Sequence, residues 1–147
     1  MITVEVINDY NQKLYIESQL IKSLILNVLE FEGICEADLI FILSNRNYLN
    51  KLKKSFFSKD HYTDVIAFNL EDDGKQIEGE IYISIDDVLE NSKLFSTSFD
   101  NEFKRVFIHG ILHLIGYDDN NKKNIKIMRK LEDKYLLNCK EEILHLK

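Results

Sequence analysis

His109 and His113 stand four residues apart in the stretch VFIHGILHLIGYDDNN, residues 106–121, on a run that is otherwise apolar. Four residues advance a helix by about 400°, so the two imidazoles differ by only about 40° around the axis and can converge on one point. Gly116 suits a helix C-terminus, where a left-handed residue turns the chain. Tyr117 and Asp118 can then swing the next side chain back toward the imidazoles, which makes Asp119 the natural third ligand. Two nitrogens and one oxygen on one side of an ion form the donor set of catalytic zinc sites of the two-histidine, one-carboxylate type. The spacing alone fits satisfied core histidines as well. The glycine turn and the carboxylate are what favour one divalent ion, zinc by its ligand chemistry.

Several elements must position this group. ITVEVI at 2–7 alternates apolar and polar residues and reads as a half-buried strand. From about Asn11 the period changes, with Leu14, Leu20, Ile21, Leu24, Ile25, Val28 and Leu29 on one face of a helix ending near Gly33. DLIFIL at 38–43 reads as a short buried strand, and Ser44 or Asn45 can cap a helix after it. TDVIAFNL at 63–70 and EIYISI at 80–85 read as two more strands; Asp73-Gly74 between them is a hairpin signal that makes them antiparallel. Asp86 or Asp87 can cap the next helix. The histidine helix begins near Asp100 and buries Phe103, Val106, Phe107, Ile111 and Leu114, and a polar helix over 121–137 turns Ile125, Met128 and Leu131 inward. The expected fold is α+β: a single compact domain in which about five helices pack a small mixed four-stranded sheet.

The bulk properties agree with one domain. The chain has 147 residues, 45% hydrophobic and 30% charged, the balance of an ordinary globular protein. Cys35 and Cys139 are too far apart for a paired-thiolate zinc motif, and they read as ordinary thiols. No run is long enough to span a bilayer and the opening MITVEVINDY lacks the marks of a secretory leader, so the expectation is a cytoplasmic protein with no membrane partner. A net charge of −6 argues against nonspecific coating of nucleic acid.

The stretch HGILHLIGYDD, from His109 to Asp119, resembles the signature H-G-x-L-H-L-x-G-Y-D-H of the YbeY family, the metal-dependent endoribonucleases also called rRNA maturation factors. TDVIAF at 63–68 is similar to that family's T-D/N-V-L-S-F strand, and GEIYIS at 79–84 to its G-D-I-x-I-S strand, so the resemblance spans essentially the whole chain. It implies hydrolysis of single-stranded RNA phosphodiesters in ribosomal RNA maturation and ribosome quality control, with ribosomal RNA and the ribosome or its proteins as partners. It also implies that Thr63 and Asp64, which by themselves read as turn caps opening a strand, line the cleft. Tyr117 reads as packing and orienting the turn, and Glu80 as a carboxylate that holds a metal histidine or merely charges a strand edge.

Three positions depart from the family pattern. Asp119 stands where the pattern has a third histidine, and an anionic ligand should acidify bound water less than a third neutral imidazole would. Asp118 is the alternative ligand, but the register of Gly116 and Tyr117 favours Asp119; Asp118 is then the nearest candidate general base. Glu80 replaces an aspartate. Phe57 stands where family members often carry a phosphate-holding arginine, which leaves Lys53, Lys54 and Lys59 to supply charge to RNA beside the structural reading of Lys51 to Lys59 as a solvated face. Lys122, Lys123, Lys126, Arg129 and Lys130 read as the exposed side of the last helix. Gly110 occupies the position where H-E-x-x-H peptidases carry their general base, so peptide hydrolysis by that route is disfavoured. The competing function is a non-catalytic ribosome-assembly factor with a structural metal, and a weaker one is a hydrolase of small phosphoesters.

Overall fold

The computed structural model describes residues 1–57, 64–70 and 76–146, with the side chain of Phe57 outside the described set. In chain order the elements are β1 (Ile2–Asn8), β2 (Leu14–Ile16), α1 (Ser18–Phe31), β3 (Ala37–Ser44), α2 (Arg46–Phe57), β4 (Val65–Asn69), β5 (Ile77–Ser84), α3 (Ile85–Leu94), α4 (Phe99–Ile115), α5 (Lys122–Leu137) and β6 (Leu144–Leu146). The main sheet runs β1-β3-β5-β4, parallel across β1, β3 and β5 and antiparallel between β4 and β5. It is the mixed four-stranded sheet expected, with five helices among the described residues. The Asp73-Gly74 turn lies outside them, although its consequence, the antiparallel pair, is present.

The two faces of the sheet have different tasks. Leu39, Phe41, Leu43, Ile81 and Ile83 enter the closed core with α1 and α4, where the rings of Phe41 and Phe107 stack with centroids 4.0 Å apart. Tyr82 and Phe68 alternate with those positions and meet Tyr48 and Phe56 of α2 on the other face. Helix α4 lies very close to its strands. A Cβ at Gly110 would stand 2.9 Å from Ile81 Cγ2 and 3.1 Å from Val65 Cγ2, and one at Gly79 would stand 2.4 Å from Leu114 Cδ2. Both contacts lie inside van der Waals distance, so a side chain at either glycine would force Leu114, or Ile81 and Val65, to shift.

Four sequence expectations need correction. Leu14 belongs to a short strand, pairing with Leu146, and α1 begins only at Ser18. Strand β6 was not expected at all. It is anchored through Asp100, whose Oδ1 accepts from the backbone N–H of Ile143 (2.6 Å) and Leu144 (3.0 Å) and whose Oδ2 pairs with buried Lys104 at 2.7 Å. Helix α3 is capped by Ser84, whose Oγ accepts from the Asp87 N–H, because strand and helix join without a loop. Ile125 is half exposed, while Met128 is buried and Leu131 is partly so, because α5 packs along only part of its length.

Gly79→Ala is expected to lower stability by about 1–3 kcal/mol, the usual cost of overfilling a packed site. In urea unfolding the loss should shrink when combined with Leu114→Ala, which vacates the space; strictly additive losses would show that the close approach is not what Gly79 serves.

Candidate metal centre

Helix α4 is capped by Ser98 Oγ on the Asn101 N–H and closes at Gly116, which adopts φ +115°. The Gly116 N–H donates to His113 O and the Tyr117 N–H to Leu112 O, so the last carbonyls of the helix are satisfied as the chain reverses. This reversal brings the Tyr117 carbonyl within 3.0 Å of His113 Nδ1. A carbonyl only accepts, so His113 carries its proton on Nδ1. His109 Nδ1 lies 2.6 Å from Glu132 Oε2, and the same logic places a proton there. In the neutral rings both Nε2 atoms then present lone pairs, and they face one another at 2.9 Å with Asp119 Oδ2 at 3.4 and 3.5 Å. Two lone pairs and a carboxylate oxygen pointed at one spot repel unless positive charge lies among them. The three ligand atoms sit within 4.8 Å of one another, which suits a single divalent ion.

Charge around the group is mostly negative. Burial alone would lower the His109 pKa, but the hydrogen bond and charge of Glu132, with the charges of Asp64 and Asp119, raise it above its ordinary value. Burial pushes the Asp64 carboxyl up. A cavity of about 650 Å³ opens beside His109 and Asp119 and includes Asp64, Arg105, Arg129 and Glu132 in its walls. Arg105 is held by Glu132 at 2.9 Å and by Asp133 at 2.6 Å.

The structure brings His109, His113, Asp119 and Asp64 together, with Tyr117 supporting the turn through its carbonyl and its hydroxyl bonded to Glu32 Oε1 at 2.6 Å. It does not bring Glu80 to them. Glu80 shares the sheet face of Tyr82, whose hydroxyl donates to it at 2.8 Å, because alternate strand residues point to opposite faces. Asp118 turns outward and accepts from the Asn120 N–H at 3.2 Å. Lys53 and Lys54 sit on α2, which packs the sheet face away from α4, and neither lines the cavity. Lys59 and Thr63 lie outside the described residues. Arg129 is exposed, as its place on the outer side of the last helix predicts, and it also borders the cavity. Glu132 and Arg105 were missed. Glu132 falls four residues after Met128 and three before Tyr135, so a carboxylate on the buried stripe of α5 was the available signal.

Among the described residues no helix is long and apolar enough to cross a membrane. The family described as Endoribonuclease YbeY matches residues 6–140. The chain is 41% identical over 111 residues to Endoribonuclease YbeY of Amoebophilus asiaticus, covering 76% of each protein. It is 33% identical over 133 residues to the Chlorobium limicola protein of the same name, covering 90% of each. The solution structure of TM1509 from Thermotoga maritima matches with a TM-score of 0.59 and 32% identity, over 92% of this chain and 87% of that one. By this similarity along nearly its whole length, the chain belongs to the endoribonuclease YbeY family.

Proposed function

We propose that the protein is a metal-dependent endoribonuclease that hydrolyses phosphodiesters of single-stranded RNA, acting on ribosomal RNA during its maturation and in ribosome quality control. This reading places it in the cytoplasm with the ribosome as its partner. The observation that carries the metal is the convergence of the two histidine Nε2 atoms and Asp119 Oδ2 on one point. His109, His113 and Asp119 would hold the ion, with zinc favoured by two nitrogens and one oxygen. Bound there, a divalent ion would supply Lewis acidity toward a phosphoryl oxygen and toward water.

The rest of the work falls to side chains. Glu132 fixes the ring of His109 and its tautomer, and the Tyr117 carbonyl does the same for His113. Arg129, on the cavity wall, is the cation we assign to the RNA phosphate, in place of the arginine that Phe57 displaces. Asp64 faces the same cavity and its carboxyl is pushed up by burial, so it is better placed than outward-turned Asp118 to take a proton.

Purified protein should cut a labelled single-stranded ribosomal RNA fragment while His113→Ala prepared in parallel does not; cutting by neither, or by both, contradicts the reading. In the same preparations Asp119→His should retain metal and Asp119→Ala should lose most of it. Equal metal content in all three would remove Asp119 from the centre.

A pH prediction follows from the His109–Glu132 pair. In the metal-free protein the raised His109 pKa stabilises the fold below the histidine's unfolded value, and that contribution is lost as pH rises through the folded value. Glu132→Gln should move the His109 titration, followed by NMR of its ring Cε1–H, to lower pH. An unmoved titration would show that Glu132 does not govern the ring.

A further inference from the structure

The cavity continues along α4 away from the histidines, and its far end has two features that the metal centre does not use. Glu102 precedes His109 by seven residues, which puts both on one helix face roughly 10 Å apart along the axis. Glu102 is only 5% exposed and lines the cavity; among the described residues its carboxylate has no hydrogen-bond or ion-pair partner, although the charges of Arg105 and Arg129 act on it. The other acids on this wall have assigned roles: Glu132 is held by His109 and Arg105, Asp64 by Asn91, and Asp119 belongs to the candidate metal centre. A carboxylate that opens on the cavity without a donor of its own can accept the donors of a ligand.

Phe95 supplies the second feature. It closes α3, is 61% exposed, and lines the same cavity. The next residue, Ser96, has φ +53°, a left-handed backbone that a non-glycine residue rarely adopts and that strains the turn. Thr97 N–H bonds back to Ser92 O at 2.9 Å, so the turn presenting the ring is held in place. An exposed aromatic ring beside a nuclease cavity is a stacking platform for an unpaired base.

Resting on the ribonuclease reading, we propose that this end of the cavity is a nucleobase subsite in which an unpaired guanine stacks on Phe95 and donates its N1–H and N2–H groups to the Glu102 carboxylate. The match is one of donor pattern. A carboxylate accepts two parallel N–H groups, and guanine is the standard base whose Watson–Crick edge carries two adjacent donors. Adenine and cytosine pair one donor with an acceptor, and the single donor of uracil is flanked by two carbonyls. The separation from the histidines is one that a single nucleotide bridges from phosphate to base edge. Glu102 therefore acts as a specificity residue that touches the substrate, and an edge already engaged in a duplex is not available to it.

The test is fluorescence anisotropy of the metal-loaded, full-length protein with labelled 2′-O-methyl pentanucleotides UUXUU, where X is guanine, hypoxanthine, adenine, cytosine or uracil. The guanine oligomer should bind about tenfold more tightly than the uracil one, with hypoxanthine, which lacks the N2 amine, in between. Glu102→Gln should remove that preference, bringing the guanine and uracil oligomers to the same affinity, whereas Phe95→Ala should weaken all five alike. Equal affinities across the series, or a preference that survives in Glu102→Gln, would overturn the subsite and leave the ribonuclease reading standing. Failure of every oligomer to bind would overturn both. The hypoxanthine comparison needs only the unaltered protein, so it decides the matter even if a variant does not fold.

Discussion

Helix α4 lies flush against the sheet, and the position of every group in the His109–His113–Asp119 cluster depends on that contact. Gly110 immediately follows His109 and meets Ile81 and Val65 where a methyl group would collide. Gly79 makes the reciprocal allowance from the strand side, beneath Leu114. With the helix seated this closely, one stripe of it enters the core through Phe103, Phe107, Ile111 and Leu114. The adjacent stripe, Glu102, Arg105 and His109, faces the cavity instead. Core and site are thus two neighbouring faces of the same helix, and a shift that repacked one would displace the other.

The second constraint is electrostatic. His109 and His113 have their Nδ1 atoms committed outward, one to a carboxylate and one to a carbonyl, which leaves their Nε2 atoms turned on each other. That arrangement is unfavourable for two neutral imidazoles and favourable around a cation. Asp119 adds a full negative charge to the same point, in place of a neutral third ring. Arg105 and Arg129 stand on the other side of the balance, and Arg105 is already bound to Glu132 and Asp133. The centre is therefore more anionic than a three-imidazole site, and its affinity for a cation is expected to rise while its power to acidify water falls.

The turn that brings Asp119 beside His109 and His113 was legible in the sequence because its geometry is local: four residues of helix set the two rings, and one glycine sets the reversal. The strands were legible from alternation and the helices from their apolar stripes. What escaped was set by distant partners. Glu132 reaches His109 across 23 positions from a helix rich in charged residues, where one more carboxylate carries no mark except its place on the buried stripe. Strands β2 and β6 are three residues each and pair across nearly the whole chain, too short for any periodicity to show. Which sheet face α4 covers is not written in the strand's own alternation, and it is that choice, with Gly79 and Ile81 beneath the helix, that turns Glu80 away from the histidines. Arg129 was hidden among lysines that are solvated.

X-ray absorption at the zinc K-edge of protein loaded with one equivalent of zinc tests the centre most directly. The account predicts two imidazole nitrogens and otherwise oxygen ligands at about 2.0–2.2 Å. Sulfur in the first coordination sphere, or fewer than two imidazoles, would contradict it.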